Sequence, residues 1–272
     1  MRPNLTAPSF APSGGVNRAL TWLKLSYEYL VLYGGLLSFG LAGLIWSLAA
    51  TVLYLLLPRR LSAPLGQIAI MAIFRGFLFM LQASGIFKFD LSALDALRQE
   101  RSLIIAPNHP SLLDVVLVVS RLPNVVCITK AEIWDNLILG GGARLAAYIR
   151  NDSPFGMIRL AAAAVRAGRQ LLVFPEGTRT RREPVSHFKG GFALIAKTAR
   201  VPVQTVFIET NSPFLSKGWP LFKKPAFPLI CRARLGQRFE VEDDVKTFVA
   251  DLECYYQKRL APINPTQAEA VH

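Results

Sequence analysis

His109 and Asp114 stand five residues apart in the segment Asn-His-Pro-Ser-Leu-Leu-Asp at 108–114. Within one continuous helix, residues at this spacing lie about 140° apart around the axis and do not face each other. Here, however, an apolar, strand-like run ends at Pro107 and a helical pattern begins near Leu112, so a turn can fold the histidine back towards the aspartate. An aspartate bonded to one ring nitrogen leaves the other nitrogen free to accept a proton. The spacing therefore predicts an oriented general base.

No nucleophilic serine or cysteine is evident beside this pair. Ser111 is close in sequence, but the Gly-x-Ser-x-Gly turn that would present a nucleophilic serine is missing. Direct attack by a substrate hydroxyl, activated by His109, is the simpler chemistry. The alternative is purely structural, with a buried histidine bonded to Asp114 at the start of a helix. Taken alone, the pair fits both interpretations.

A second motif, Phe-Pro-Glu-Gly-Thr-Arg at 174–179, follows another short apolar run and continues as Thr-Arg-Arg. It brings three arginines within four residues, and guanidinium groups can bind phosphate with two parallel hydrogen bonds. The alternative is a solvated basic loop. Glu176 argues against simple anion attraction, and we expect it to orient an arginine or to accept a hydrogen bond from a polar substrate.

Together, the two motifs resemble those of the glycerolipid acyltransferase family, which includes the lysophosphatidate acyltransferases. The likeness covers about residues 90–210 and includes Phe-Lys-Gly-Gly at 188–191, which is similar to the family's Phe-Lys-x-Gly segment. An intermediate block in the family ends in an arginine that helps to hold the acceptor phosphate. Arg150 is the first choice for that role here, and Arg144 is the alternative. The family's final Val-Pro-Val-x-Pro-Val block is altered, because Thr205 replaces its second proline.

The resemblance implies that a fatty acyl group moves from a thioester of coenzyme A or acyl carrier protein to the hydroxyl of a lysolipid, most commonly 1-acylglycerol-3-phosphate. It implies His109 as the base and Asp114 as its orienting partner. No metal or cofactor is expected, and backbone N–H groups should stabilise the developing oxyanion. The implied acceptor-binding residues are Arg150, Glu176, Gly177, Thr178 and Arg179, with Arg144, Arg181 and Lys189 as further candidates.

Three alternatives remain open. The altered block at Thr205 allows a different lysolipid acceptor, including one that contains an amino acid. A non-catalytic module could hold anionic lipid headgroups, although headgroup binding does not need an oriented base. A lipid hydrolase could use His109 to activate water, although no serine turn or metal-ligand cluster supports it. The apolar residues at 137–139 fit either an acyl groove or a core.

The N-terminal part of the chain is strongly apolar. No charged residue occurs from Tyr29 to Pro58, whereas a bilayer-spanning helix needs only about 20 residues. A second apolar segment, Leu61–Phe87, contains Arg75 and Pro64, which favours an interfacial or re-entrant helix, with a bilayer hairpin as the alternative. Both segments could instead form a helical pair inside a soluble core.

The formal net charge is +13, from 31 lysines and arginines against 18 acidic residues. Such a balance favours anionic lipid or nucleic acid as a partner. Lipid fits better, because the apolar segments accompany the charge and no nucleic-acid motif is visible. Arg59 and Arg60 follow the first apolar segment and favour the cytoplasmic face of a membrane for the rest of the chain. The three cysteines indicate neither a disulfide framework nor a zinc site, and the sequence does not indicate an oligomeric state.

Four regions are predicted along the chain: a disordered N-terminus at 1–17, a membrane-associated helical region at 18–89, a catalytic domain at 90–261 and a flexible tail at 262–272. In the catalytic domain, short apolar runs alternate with helical patterns, which indicates an α/β domain with a mostly parallel or mixed sheet flanked by helices. The runs lie at 102–107, 125–129, 170–174, 202–208 and 228–235, and the helical patterns near 111–121, 155–168, 190–200 and 243–259.

Overall fold

The computed structural model describes residues 14–136, 140–182, 184–220, 222–242 and 244–261, with side chains from residue 17 onwards. Its helices are α1 (Gly14–Leu56), α2 (Arg59–Ala83), α3 (Asp114–Val119), α4 (Ala131–Asp135), α5 (Gly141–Leu145), α6 (Pro154–Arg166), α7 (Gly191–Ala199) and α8 (Val245–Leu260). Its strands are β1 (Phe87–Asp90), β2 (Leu103–Pro107), β3 (Val125–Lys130), β4 (Ile149–Asn151), β5 (Gln170–Leu172), β6 (Val203–Thr210) and β7 (Leu229–Phe239). A 3₁₀ helix spans Ser92–Leu97.

The strands form one mixed sheet in the order β1-β7-β6-β2-β5-β3-β4. Strands β2 to β6 run parallel to one another, whereas β7 is antiparallel to β6 and parallel to β1. The predicted mixed sheet with flanking helices is therefore confirmed. Because the carboxyl ends of parallel strands meet at one edge, the segments after β2, β3, β5 and β6 lie along the same edge of the sheet.

Helices cover both faces of the sheet, and β2 shows how the sequence permits this. All five of its residues are buried, and successive side chains of a strand point to opposite faces. Leu103 and Ile105 pack with apolar residues of α2 and α3 on one face, whereas Ile104 and Ala106 pack with α6, α7 and α8 on the other. A strand that is buried on both faces is apolar throughout, which makes its run recognisable in the sequence.

The two N-terminal helices pack against the sheet domain through the glycine-rich α5. A Cβ atom on Gly141 would lie 2.1 Å from the carbonyl oxygen of Ser47, so a larger residue would push α1 away. On α2, a Cβ atom on Gly66 would lie 2.6 Å from the backbone nitrogen of Ala146. Gln67 Nε2 also donates to the Ala146 carbonyl over 2.9 Å. Close backbone approach thus joins both helices to the domain.

Helices α1 and α2 are long and apolar enough to cross a membrane, over Asn17–Leu56 and Arg59–Ala83. One side of α1 packs on the protein, and the other carries large exposed apolar side chains. Their spacing places them on one face of the helix. An apolar stripe of this length favours contact with lipid. Its members are Leu30, Leu37, Leu41, Ile45, Leu48, Val52 and Leu55.

Several elements differ from the sequence prediction. β1 and β4 were not expected, because strands of four and three residues are stabilised by pairing with neighbours rather than by a pattern of their own. The predicted boundary between residues 89 and 90 falls inside β1. Residues 14–17, expected to be disordered, form the first turn of α1, because each added residue gains a helical hydrogen bond. Residues 1–13, 137–139 and 262–272 lie outside the described residues. The disorder expected at 1–13, the acyl groove or core expected at 137–139 and the flexible tail expected at 262–272 fall on these segments.

Candidate active site

The turn after β2 is fixed to the neighbouring strand β6 by the side chain of Asn108. Its Nδ2 donates to the carbonyl of Ile208 over 2.9 Å, and its Oδ1 accepts from the Ile208 backbone N–H over 2.7 Å. This amide pair satisfies strand groups that the turn would otherwise leave unpaired. The chain therefore leaves the sheet at a defined point, and His109 is the next residue.

His109 and Asp114 are in direct contact, as their spacing predicts. His109 Nδ1 lies 2.9 Å from Asp114 Oδ2, and the same oxygen accepts from the Ser111 backbone N–H over 2.7 Å. The ring of Phe174 stacks on the imidazole, with centroids 3.8 Å apart and an interplanar angle of 17°. Among the described residues, no hydrogen-bond partner occupies the other ring nitrogen, Nε2. The imidazole is thus held on one edge and on one face, and Nε2 is left for a substrate.

Asp114 is almost completely buried, with 1% of its surface exposed. Burial raises the pKa of its carboxyl group from 3.8 to about 6, although the hydrogen bond and the charge interaction with His109 act in the opposite direction. A carboxylate in this setting interacts strongly with a positive imidazolium, because little water screens the pair. Asp114 is thus placed to stabilise positive charge on the His109 ring.

Glu176 holds the two motifs together, and its hydrogen bonds go to backbone and hydroxyl donors rather than to an arginine. It is 2% exposed. Its Oε1 accepts from the His109 backbone N–H over 2.9 Å and from Thr180 Oγ1 over 2.8 Å, and its Oε2 accepts from the Ser186 backbone N–H over 2.8 Å. A buried carboxylate requires such donors. They all come from the protein, so Glu176 acts on His109 through the backbone.

The loop that follows β5 contains Gly177 in a left-handed conformation, with φ at +66°. A Cβ atom there would lie 2.8 Å from Cδ of Lys189, so glycine is needed both for the backbone angle and for the close side chain. The Lys189 backbone N–H donates to the Pro175 carbonyl over 2.8 Å. Gly177 and Lys189, both candidates from the sequence, therefore lie side by side at the exposed rim of the motif.

Arg179 and Thr178 contact the loop between β6 and β7, residues 211–228, which we call the β6–β7 loop. Arg179 Nη1 donates to the carbonyls of Leu215 and Ser216 over 2.8 and 2.9 Å. Lys217 Nζ lies 3.4 Å from Thr178 Oγ1. The first motif joins the same loop, since Ser111 and Leu112 also donate to its carbonyls.

Lys217 belongs to a group of four cations, the basic cluster, which consists of Lys130, Arg179, Arg181 and Lys217. Partial desolvation lowers the pKa of Lys217, and the charges of Arg181, Arg179 and Lys130 lower it further. Within the described part of the chain, Lys130, Arg181 and Lys217 have no carboxylate partner. Uncompensated positive charge beside a candidate base favours an anionic ligand.

Sequence reasoning missed two members of the basic cluster. Lys130 ends β3, so its position at the carboxyl edge follows from the parallel order of the strands. Lys217 stands in a loop without a periodic pattern, and no signal in the sequence places it beside Thr178.

Arg150 and Arg144 are held by contacts of their own. Arg150 is on β4, in register with Thr129, the neighbour of Lys130, and its guanidinium pairs with Asp135 at 2.5 Å and with Asp152. These carboxylates raise its pKa. Arg144 Nη1 donates to the Trp134 carbonyl over 2.6 Å. Carboxylates thus compensate the charge of Arg150 in this structure, and its role as a phosphate ligand stays a prediction.

Residues 88–209 match the model of the Acyltransferase family. The 1-acyl-sn-glycerol-3-phosphate acyltransferase of Cocos nucifera is 36% identical over 103 residues, which cover 35% of this chain and 33% of the relative. Residues 88–209 are thus similar to the acyltransferase domains of the glycerolipid acyltransferase family. The 1-acyl-sn-glycerol-3-phosphate acyltransferase beta of Homo sapiens is 29% identical over 137 residues, 47% of this chain and 48% of the relative. This chain thus matches less than half the length of these relatives.

The fold of this chain is also similar to a solved structure, the 1-acyl-sn-glycerophosphate (LPA) acyltransferase PlsC from Thermotoga maritima. The TM-score is 0.60 at 17% sequence identity, over 92% of this chain and 98% of that one. The match therefore extends to the N-terminal helices, whereas the family match from 88 to 209 leaves out α1, α2 and the β6–β7 loop. Among the described residues, no group of three His, Cys, Asp or Glu side chains could hold a metal ion.

Proposed function

We propose that this protein is a membrane-bound acyltransferase that moves a fatty acyl group from a thioester to the hydroxyl of a lysolipid, with His109 as the general base. The observation that carries the proposal is the position of His109, whose Nδ1 is bonded to Asp114 and whose Nε2 has no partner among the described residues. Its backbone carbonyl accepts from the N–H of Thr180, which stands between Arg179 and Arg181 of the basic cluster. A base oriented in this way can remove a proton from the acceptor hydroxyl when the basic cluster binds an anionic group of the same acceptor molecule.

The chemical steps follow from this geometry. His109 Nε2 takes the proton of the acceptor hydroxyl while the hydroxyl oxygen attacks the thioester carbonyl carbon. Asp114 stabilises the imidazolium that forms. When the tetrahedral intermediate collapses, the carbon–sulfur bond breaks, and the leaving thiolate takes the proton from the imidazolium. The products are an ester and a free thiol, and His109 returns to its neutral form.

The acceptor that fits the basic cluster carries a phosphate monoester, and 1-acylglycerol-3-phosphate is such a lipid. A phosphate monoester has a charge of about −1.5 to −2 at neutral pH and offers three acceptor oxygens. Arg181, Lys217 and Lys130 supply cations that are not matched by acids among the described residues. An amino-acid-containing lysolipid would instead be expected to meet carboxylates as well as cations.

Attachment to a membrane follows from the exposed apolar stripe of α1. The opposite side of this helix contacts the domain from Leu32 to Thr51. Leu32 lines an apolar cavity with Leu113 and Phe214, and Thr51 packs against α5. These contacts extend over about 30 Å, at 1.5 Å per helical residue. The helix therefore presents one face to lipid while the other carries the catalytic domain. A lysolipid in that membrane and a soluble thioester, carried by coenzyme A or acyl carrier protein, would then meet at His109.

Arg59 and Arg60 begin α2, directly after the uncharged part of α1. Basic residues beside an apolar segment are retained on the cytoplasmic side. We therefore place the catalytic domain at the cytoplasmic face, where thioesters of coenzyme A and acyl carrier protein are made.

The test is acyl transfer by the purified protein in vesicles, with labelled thioesters and a panel of lysolipids. We expect His109→Ala to lower kcat/KM for 1-acylglycerol-3-phosphate by at least about 10²-fold. His187→Ala is the matched control, because the His187 side chain is 90% exposed and pairs with Glu253 of α8 rather than with His109, Asp114 or Glu176. Full activity of His109→Ala would refute the base.

The products separate the alternative functions. Release of free fatty acid without transfer would indicate a hydrolase, and binding of lysolipid without either reaction would indicate a headgroup-binding module. A strong preference for lysolipids that contain an amino acid would refute the phosphate acceptor but not the acyl transfer.

A further inference from the structure

The β6–β7 loop is tied to α1 by a partly buried ion pair. Glu28 of α1 is 4% exposed, and its Oε2 pairs with Lys224 Nζ of the loop. Its Oε1 lies 4.0 Å from Lys24 Nζ, which is one turn away on the same helix and 75% exposed. The Lys224 ammonium also lies 5.9 Å from the ring of Tyr29 and 5.6 Å from that of Phe227. A buried carboxylate that lost this partner would be left with an unfavourable charge.

The other part of the same loop holds both motifs of the active site. The Phe214 carbonyl accepts from Ser111 Oγ over 2.9 Å, and the Leu215 carbonyl accepts from the Leu112 backbone N–H over 3.1 Å. The carbonyls of Leu215 and Ser216 accept from Arg179. Hence the position of these carbonyls determines where the Arg179 guanidinium lies.

Contacts inside the loop connect its two ends. Trp219 Nε1 donates to the carbonyl of Lys223, the neighbour of Lys224, over 2.9 Å. The ring of Trp219 packs edge-on against Phe214, with centroids 5.9 Å apart, and Lys223 Nζ lies 5.0 Å from the Trp219 ring. Contiguous packed contacts of this kind can carry a displacement from one end of a loop to the other.

We propose that Glu28 and Lys224 are positioning residues for the acceptor site. Their ion pair fixes the β6–β7 loop on the membrane-associated helix, so that the loop carbonyls hold Arg179, and Lys217 stays beside Thr178. The proposal rests on the proposed function for its kinetic consequence, because it assigns Arg179 and Lys217 to acceptor binding. It links the helix that faces lipid to the residues that receive a lipid headgroup.

A pair that only stabilises the fold would affect all kinetic constants and the melting temperature together. A positioning pair that acts through Arg179 and Lys217 should act mainly on acceptor binding, since the contacts of His109 with Asp114 and Glu176 do not involve Lys224. The KM for the lysolipid is therefore the discriminating quantity.

The kinetic experiment compares Glu28→Gln, Lys224→Gln and the exchanged pair Glu28→Lys with Lys224→Glu in the full chain, in vesicles. We expect each single variant to raise the KM for 1-acylglycerol-3-phosphate by about 2- to 30-fold, which is the range of coupling through packed networks, with kcat and the KM for the thioester changed by less than about twofold. The exchanged pair should restore much of the loss. Lys24→Gln is the matched control, because it removes the exposed cation from the same carboxylate, and its KM should stay within about twofold of the wild type.

An unchanged acceptor KM in Glu28→Gln would overturn the proposal. So would a change of similar size in kcat and in both KM values, accompanied by a lower melting temperature. Hydrogen exchange gives a readout that does not need activity. The Leu112 amide, which donates to the Leu215 carbonyl, should exchange faster in Glu28→Gln than in Lys24→Gln. If the wild type transfers no acyl group, the proposed function fails, whereas equal exchange of this amide in the two variants refutes the positioning role.

Discussion

The buried motif residues and the basic cluster lie at the same edge of the sheet but differ in how their charges are matched. Asp114 and Glu176 are both buried, and the bonds that hold them come from the protein itself: from His109, Ser111, Thr180 and Ser186. Lys130, Arg181 and Lys217 are exposed cations without acid partners among the described residues.

This difference separates two tasks. A base must be oriented before the substrate arrives, so its partners are built into the fold. A binding site for an anion keeps its cations uncompensated, because an internal carboxylate would compete with the ligand. Arg150 illustrates the opposite case, since Asp135 and Asp152 already neutralise it.

Asp114→Asn should have the largest effect among variants that leave His109 in place. The amide keeps the shape of the side chain but loses the negative charge that stabilises the His109 imidazolium. We expect kcat to fall roughly 10²- to 10⁴-fold, with the KM for the acceptor little changed. Steady-state kinetics in vesicles measure both constants. A rise in the acceptor KM as the main effect would show that the buried region also binds substrate, and the comparison would then fail.

The pH dependence of kcat tests the Asp114 charge by gradual protonation instead of substitution. Because burial raises the Asp114 pKa to about 6, the carboxylate is protonated below that pH, and kcat should fall about tenfold for each further unit. A profile that stays flat down to pH 5 would contradict the role of the Asp114 charge.

Protonation of Asp114 should lower kcat but raise the stability of the folded protein. The folded-state pKa is raised, so this group stabilises the protein below its ordinary pKa of 3.8, and that contribution is lost as the pH rises to about 6. Its upper limit is about 3 kcal/mol, since one pKa unit corresponds to about 1.4 kcal/mol. Thermal unfolding between pH 4 and pH 6.5 should therefore show a loss of stability in the wild type that Asp114→Asn lacks.

Much of the fold and the catalytic pair could be predicted from local sequence. Strands such as β2 are buried on both faces and are therefore apolar throughout, and the break at Asn108 and Pro110 places His109 on a turn. The contact of His109 with Asp114 depends on six consecutive residues, so it is encoded locally.

The binding side of the site depends on contacts between distant segments, and sequence motifs were a poor guide to it. Glu176 lies beside arginines in the chain, yet its carboxylate turns inwards to the His109 backbone. Arg150 fits a family block, yet Asp135, 15 residues away in the chain, pairs with its guanidinium. Lys217 reaches Thr178 only because the β6–β7 loop folds over the second motif. None of these contacts has a period or a spacing that a sequence pattern could reveal.

The finest test compares two cations, Lys217 and Arg150, that an assignment from uncompensated charge and an assignment from the family block rank in opposite orders. Lys217→Gln removes an exposed, uncompensated charge from the basic cluster, and we expect the KM for 1-acylglycerol-3-phosphate to rise about tenfold, the equivalent of one charge-assisted hydrogen bond. Arg150→Gln removes a charge that Asp135 and Asp152 already neutralise, so its acceptor KM should stay within about twofold. The effect of Lys217→Gln should also shrink at high salt, because an exposed charge is screened.

Kinetics with acceptors of different charge sharpen this result. For a lysolipid without a phosphate monoester, Lys217→Gln and the wild type should differ little, because the lost cation has no anion to meet. If Arg150→Gln instead raised the acceptor KM more than Lys217→Gln, the phosphate would lie near β4, and Asp135 and Asp152 would have to release Arg150 when the acceptor binds. Uncompensated charge would then be the wrong criterion for the acceptor site, and the family block would be the better guide.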